Sequence, residues 1–418
     1  MGRERVRLGD VRLIRAHPDA VREALRNRLV DMGLVPGGRS VEEVLELDRR
    51  HREVLGELQR RRRALNEASE RVAELRRRGE DVAGDVAAAR GMKEGLARTR
   101  DAARQVWAEL EAALLALPNV PRADVPVGAG EADDVVMREE GERRRFGFEP
   151  RPHKQLGEAL GVLDFRRGAR IAGSGFVAMV GAGAALERAL TNFMLDVHTS
   201  EHGYQEVRVP GLTREECLEA VGVEGGRAVG GRLSAVAAKA ALTNLHRGEI
   251  LNGSELPRRY VGRVEWLRGE WTAESWEATR AARGLPGERE SSAVQLMTFT
   301  SVEESEAELQ RAVGAAESVL KHLDVPYRVV ALCTARLPWA SAKTIALQAH
   351  CPGAGEHVTV SECSLYEAYQ ARRCNTRYRP TGGKPQFVHT VGGSAAEVRR
   401  VLAAVLENYQ REDGRVEV

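Results

Sequence analysis

The sequence predicts an α+β protein in two parts, a long antiparallel helical hairpin followed by a domain whose mixed, mostly antiparallel sheet is flanked by helices. Three observations predict it. Apolar residues recur at heptad spacing before residue 119, prolines at 118, 121 and 126 then break the pattern, and helical stretches alternate with short β-branched runs after Arg151.

The hairpin comes first. Val54, Leu58, Leu65, Ala68, Val72 and Leu75 step by fours and threes, with Arg61 in the one seam position that lacks an apolar residue. A second seam runs Met92, Leu96, Thr99, Ala103, Val106, Leu110, Ala113 and Leu117. Each segment is therefore a helix with a narrow apolar stripe. Gly79, Glu80, Asp81 and Gly84 suit a reversal between them, and two long helices joined by a short turn lie antiparallel. At about 30 residues per arm the hairpin extends roughly 45 Å.

Its outer faces are rich in arginine: Arg60, Arg61, Arg62, Arg63, Arg71, Arg76, Arg77, Arg78, Arg90, Arg98, Arg100 and Arg104. On charge alone the simpler reading is a solvated face laced with ion pairs. The functional reading is a stiff rod that lies along a phosphate backbone, held by charge and not by base reading.

The expected boundaries are an arm over 1–119, a Gly- and acid-rich linker over 120–150, and a second domain over 151–418. In that domain the patterns predict helices over 186–198 and 302–323, and strands over 204–209, 327–332 and 386–391.

Composition excludes several classes. Lys and Arg number 63 against 61 Asp and Glu, a net charge of +2, so any basic surface is local. The five cysteines, Cys217, Cys333, Cys351, Cys363 and Cys374, include no C-x-x-C pair and form neither a disulfide framework nor a zinc site; they read as reduced thiols. The charged start, MGRERVRLGDVRLIR, contains no apolar run of signal-peptide or membrane-span length. A soluble cytoplasmic protein with no membrane partner is expected.

Several stretches resemble the bacterial-type seryl-tRNA synthetase family, among them RPHKQLGEALGVLDF, LERALTNFMLDVHTSEHGYQEVRVP, LTNLHRGEIL, YQARRCNTRYRPTGGKPQFVHT and VLENYQREDG. With VRLIRAHPDAVREAL and the hairpin followed by LPNVP, the resemblance covers nearly the whole chain. It implies a class II synthetase domain with a six- or seven-stranded antiparallel sheet, ATP with magnesium, a tRNA partner and a homodimer. The dimer motif corresponds to residues 186–210, ending at Pro210. The basic arm, through Arg60, Arg62, Arg63, Arg71, Arg76, Arg77 and Arg78, becomes the expected tRNA contact, since RNA recognised by backbone and shape suits a stiff positive rod.

Against the family pattern the pocket is rewritten. Arg268 and Glu270 survive from Phe-Arg-x-Glu, the resemblance making Arg268 the α-phosphate clamp, and Arg400 stands at the class arginine that stacks on adenine and meets the γ-phosphate. The Thr-Ala-Glu loop reads Ala237, Ala238, Lys239, so an ammonium stands where a carboxylate would face the serine ammonium. At about 4 Å and an effective dielectric near 20 each interaction is about 4 kcal/mol, a swing of about 8. The arginine and glutamate that meet the serine carboxylate and hydroxyl become Gly287 and Gln295, with Arg280, Arg283 and Arg289 nearby in sequence. Glu-Ile-Ser-Ser becomes Thr359, Val360, Ser361, Glu362, removing the metal-binding glutamate and placing Glu362 at the second serine; Ser-Asn-Cys reads Ser364, Leu365, Tyr366. The third class motif, Asn-Gly-Ser-Gly-Leu-Ala-Val-Gly-Arg, reads from Gly392 to Arg400, with Ala395 and Arg399 at two glycines. Arg399 is expected either to fill the adenine pocket or to point to solvent.

The resemblance and its departures together imply a seryl-tRNA synthetase-like protein that keeps tRNA binding and dimerisation, with itself or with an active synthetase, but does not charge tRNA with serine. No catalytic residue and no metal ligand is assigned. Arg268, Glu270, Arg400 and Glu362 are the nucleotide-binding remnant. Two alternatives stay open: an adenylating or acyl-transfer enzyme for another acid, and an ordinary serine–tRNA ligase with compensating residues.

Overall fold

The computed structural model describes residues 11–33, 35, 38–211, 213–222, 228–229, 233–234, 238–267 and 290–418. Two compact units divide the chain, residues 1–26 with 30–117 and residues 27–29 with 118–418.

The first unit is dominated by α1 (Val41–Arg77) and α2 (Ala83–Leu115). Ser40 starts α1 with a reciprocal capping box: its Oγ accepts from the Glu43 amide at 3.2 Å, and Glu43 Oε2 accepts from the Ser40 amide at 2.8 Å. Gly79, at φ 74°, makes the turn after α1, and Asp81 Oδ1 accepts from the Ala83 amide to start α2. Burial follows the second seam closely, while in the first only Val72 is buried and Val54, Leu58, Leu65, Ala68 and Leu75 are half-buried. Val72, Leu96, Thr99, Ala103, Val106 and Leu110 are buried, whereas Met92 near the turn is exposed. Arg61, the break in the first seam, has a physical counterpart: a Cβ added to Gly95 of α2 would lie 2.9 Å from Arg61 Nη1. The missing side chain makes room for the guanidinium, which pairs with Glu57.

The second unit is built on eight strands: β1 (Val135–Glu140), β2 (Gln205–Glu206), β3 (Arg258–Leu267), β4 (Glu290–Thr300), β5 (Tyr327–Ala331), β6 (Lys343–Cys351), β7 (Glu356–Glu367) and β8 (His389–Glu397). They lie in the order β1-β5-β6-β7-β8-β4-β3-β2, antiparallel throughout except that β2 runs parallel to β3. The sheet is wider than the six or seven strands expected. Its outermost strand, β1, comes from the acid-rich stretch read as linker, and the other edge, β2, is two residues long.

Helices α3 (Ala182–Ser200), α5 (Ser305–His322) and α6 (Val398–Asn408) pack on one face. Val294 and Leu296 of β4 join Leu190, Met194, Leu309 and Val401 in that core. Ala293, Met297 and Phe299 alternate onto the opposite face, with Leu242 and Val264. Helix α6 is buried nearly all round, and its Glu407 carboxylate, fully buried, accepts from the amides of His153, Gly353 and Ala354 at 2.8–3.0 Å and meets His153 Nδ1 at 2.6 Å. A buried carboxylate needs that many partners to offset its lost hydration.

Two predictions follow from this packing. Gly91, inside α2 with nothing within 4 Å of an added Cβ, takes alanine without a clash. Gly91→Ala should stabilise the protein by about 0.5–1 kcal/mol in denaturant titrations, since glycine is a poor residue for a helix interior. His198 of α3 is fully buried, neither ring nitrogen has a hydrogen-bond partner among the described residues, and burial, with His202 adding, pushes its pKa down to about 3. The unfolded chain therefore takes up a proton that the folded one refuses, so stability falls as pH drops from about 6.5 toward about 3. His198→Leu should flatten that acid limb in urea midpoints measured across the window, and an unchanged slope would count against His198 as its source.

Candidate functional site

Strand register assembles the site. Gln295 of β4 stands opposite Ser394 of β8, and Ser394 stands opposite Glu362 of β7; Met297, Gly392 and Ser364 form the next row. Residues directly opposite one another share a face, and Met297 belongs to the cluster away from the helices. Gln295, Glu362, Gly392, Ser364 and Ser394 therefore share that face. The first three were singled out from sequence. Leu365 and Ala395 are placed elsewhere: Leu365 pairs with Val391 in the helix-backed core, and Ala395, the extra residue where β8 slips register against β4, is buried in the same core.

Gln295 is 3% exposed, and its Nε2 has no partner among the described residues. Glu362 is half-buried. Ser364 closes a buried hydroxyl chain, Ser341 to Thr344 to Ser364, at 2.8 Å per link. Gly392 is tightly enclosed, since an added Cβ would lie 2.9 Å from the Leu296 carbonyl oxygen.

Thr359 ties the next strands to the start of α6. Its Oγ1 accepts from Gln348 Nε2 at 3.4 Å, Gln348 Oε1 accepts from Arg328 Nε at 2.6 Å, and the Thr359 carbonyl accepts from Arg400 Nη1 at 2.5 Å. The Arg400 Nε lies 2.7 Å from Glu397 Oε2, with side chains only 14% and 12% exposed. Arg399 takes neither course expected of it. Its Nε pairs with Glu187 Oε1 of α3 at 3.0 Å, at 12% exposure, and Ser292 Oγ donates to the same carboxylate oxygen. Ser292 alternates onto the helix side of β4, so Arg399 reaches the helix-backed side of the sheet. At the head of β8, burial, then Arg372 and Arg122, push the His389 pKa down to about 4, which keeps that ring neutral at neutral pH.

Reading the sequence missed Glu187, Glu397, Gln348 and Ser394. Glu397 had a legible signal, a carboxylate three residues before Arg400 where a strand gives way to a helix. Glu187 had none, lying over two hundred residues away in sequence. Ala237, Arg268, Glu270, Gly287, Arg280, Arg283 and Arg289 lie outside the described residues. Lys239 lies in the short helix α4 (Ala238–Thr243), but its side chain is outside them.

The described donors do not fit a protein-held magnesium. Of the two carboxylates near these rows, Glu397 is committed to Arg400, leaving Glu362, and no group of three or more metal-ligating side chains occurs among the described residues. A hard cation favours several oxygen ligands with carboxylates among them.

On the arm, Arg60, Arg62, Arg63, Arg71, Arg76, Arg77 and Arg78 are all exposed. Arg71 pairs with Asp85, Arg78 pairs with Glu74, and Arg77 Nε donates to the Ala73 carbonyl. No described helix is long and apolar enough to cross a membrane.

An antiparallel sheet carrying polar rows on one face and three helices on the other, with paired arginines where its central strand enters a helix, has the architecture of a class II aminoacyl-tRNA synthetase core. Residues 235–409 match the family model described as the tRNA synthetase class II core domain (G, H, P, S and T), and residues 9–121 match the seryl-tRNA synthetase N-terminal domain. The chain belongs to the seryl-tRNA synthetase family. A serine–tRNA ligase of Thermomicrobium roseum is 39% identical over 98% of this chain and 91% of its own length. One of Geobacillus kaustophilus is 39% identical over 97% of this chain and 96% of its own. Among solved structures, the seryl-tRNA synthetase of Pyrococcus horikoshii complexed with ATP superposes with a TM-score of 0.86 at 29% identity, covering 98% of this chain and 96% of that one.

The Arg399–Glu187 pair yields a direct test. Removing either partner strands a charge at under a fifth exposure. Arg399→Ala should cost about 3 kcal/mol. The double variant with Glu187→Ala should cost clearly less than the two single changes added together, measured as a double-mutant cycle in urea; strict additivity would mean the pair is not coupled.

Proposed function

We propose that this protein is a seryl-tRNA synthetase homologue that binds tRNA along its basic arm and forms dimers, with a pocket altered so that it does not charge tRNA with serine. One observation carries the reading. Both arginines at the start of α6 are committed to carboxylates of this chain, Arg400 to Glu397 and Arg399 to Glu187, where the family pattern offers one arginine preceded by small residues. An arginine neutralised at 2.7 Å by a partner on its own helical turn is a poor phosphate ligand. The substitutions at Lys239, Gly287, Gln295 and Thr359 point the same way, since they remove the groups that would hold a serine zwitterion and a metal.

The tRNA part rests on the arm. Arg60, Arg62, Arg63 and Arg76 are exposed and have no carboxylate within ion-pair distance among the described residues, whereas Arg61, Arg71 and Arg78 are paired. Unpaired surface guanidinium groups on a stiff rod are free to replace counterions along an RNA backbone.

A second reading, an ordinary serine–tRNA ligase, is favoured by the comparisons taken alone, because relatives of that name are 39% identical over 98% of the chain. In that reading Arg268, Glu270 and arginines between 271 and 289 supply what the described pocket residues do not.

Serine-dependent ATP–pyrophosphate exchange, run beside a salt-series titration of a serine-accepting tRNA, separates the two. Absent exchange with salt-sensitive tRNA binding supports the first reading; robust exchange with serine establishes the second. In the same titration, Arg62→Ala and Arg63→Ala should each lower the slope of log affinity against log salt by about 1. An unchanged slope would remove the arm from the binding surface.

A further inference from the structure

We infer that Glu397 is the residue that keeps a nucleoside triphosphate from Arg400, its carboxylate standing in for a phosphate oxygen on the guanidinium. The inference rests on the reading of Arg400 as the remnant of a nucleotide site. Glu397 is the last residue of β8, and Arg400 lies in the first turn of α6. Three residues apart across that junction, they are held by a rigid backbone, so little side-chain freedom is lost in pairing. The contact is short, Nε to Oε2 at 2.7 Å, and both side chains are less than a sixth exposed. The same guanidinium donates to the Thr359 carbonyl at 2.5 Å, which fixes its plane.

An incoming phosphate would therefore meet a guanidinium already neutralised, with an anion within hydrogen-bond distance of it. Like charges at that separation in a largely buried setting repel strongly. Two neighbours among the described residues bear on this. Arg399 is held by Glu187, and Glu362, half-buried and opposite Ser394, puts a second carboxylate on the face that carries these rows. The described residues hold no set of metal ligands that would bring a compensating cation. A nucleoside without phosphates escapes this repulsion, so Glu397 discriminates by ligand charge.

The test is binding of ATP and of adenosine, each by calorimetry, to the full-length wild type, to Glu397→Gln and to Glu397→Ala. The amide keeps the shape of the side chain and removes its charge; the alanine variant carries the test if the amide variant does not fold. ATP should bind at least tenfold more tightly to either variant than to wild type, adenosine affinity should change less than threefold, and adding Arg400→Ala should abolish the gain. A residue with only a structural role would not improve ATP binding selectively. Folded variants with no gain for ATP, a gain shared equally with adenosine, or a wild type that binds ATP as tightly as the variants would each overturn the inference. Serine-dependent exchange by the wild type would overturn the functional reading itself, so the two failures are read in different assays.

Discussion

Three strands at the centre of the sheet, β7, β8 and β4, approach one another so closely that two adjacent positions of β8 exclude a side chain. A Cβ on Gly393 would collide with the Glu362 carbonyl oxygen, and one on Gly392 would press on the Leu296 carbonyl and the Met297 methyl. The neighbouring rows, the burial of Gln295 and Ser394, and the point where β8 gives way to α6 all depend on that approach. Because α6 is buried almost throughout, its first turn has little freedom to move, and Arg399 and Arg400 inherit fixed positions from the glycines upstream. Tight packing transmits backbone position to side-chain geometry, as expected of interiors with few voids.

Much of the fold was legible in sequence because its largest elements are periodic. The heptad seams place both arm helices, and of the residues they mark Val72, Leu96, Thr99, Ala103, Val106 and Leu110 are buried while Met92 is exposed. Helices α3 and α5 fall where runs of apolar residues at helical spacing put them. The edge strands were not legible. Val135, Val136 and Met137 of β1 are all about half exposed and sit among acidic residues, so no alternation marks them, and a two-residue strand such as β2 has no pattern to show.

The candidate site was legible only in part, for a different reason. Motif correspondence identifies positions but not faces. Gln295, Glu362 and Gly392 share a face, while Leu365 points into the core because a strand alternates strictly between its two sides. Arg399 shows the same limit. Its partner comes from α3, and no local pattern announces an ion pair across that separation in sequence. What did lie within reach was the short-range pair, Glu397 with Arg400.

The notch at Gly95 carries one more consequence. A two-helix seam of small and aliphatic residues has several near-equivalent alignments, because sliding one helix by a heptad brings like against like. A charged side chain seated against a glycine of the facing helix interrupts that repeat at one level. Arg61 against Gly95 thus marks one level of the seam at which α1 and α2 meet through a guanidinium and a glycine, not through two aliphatic side chains.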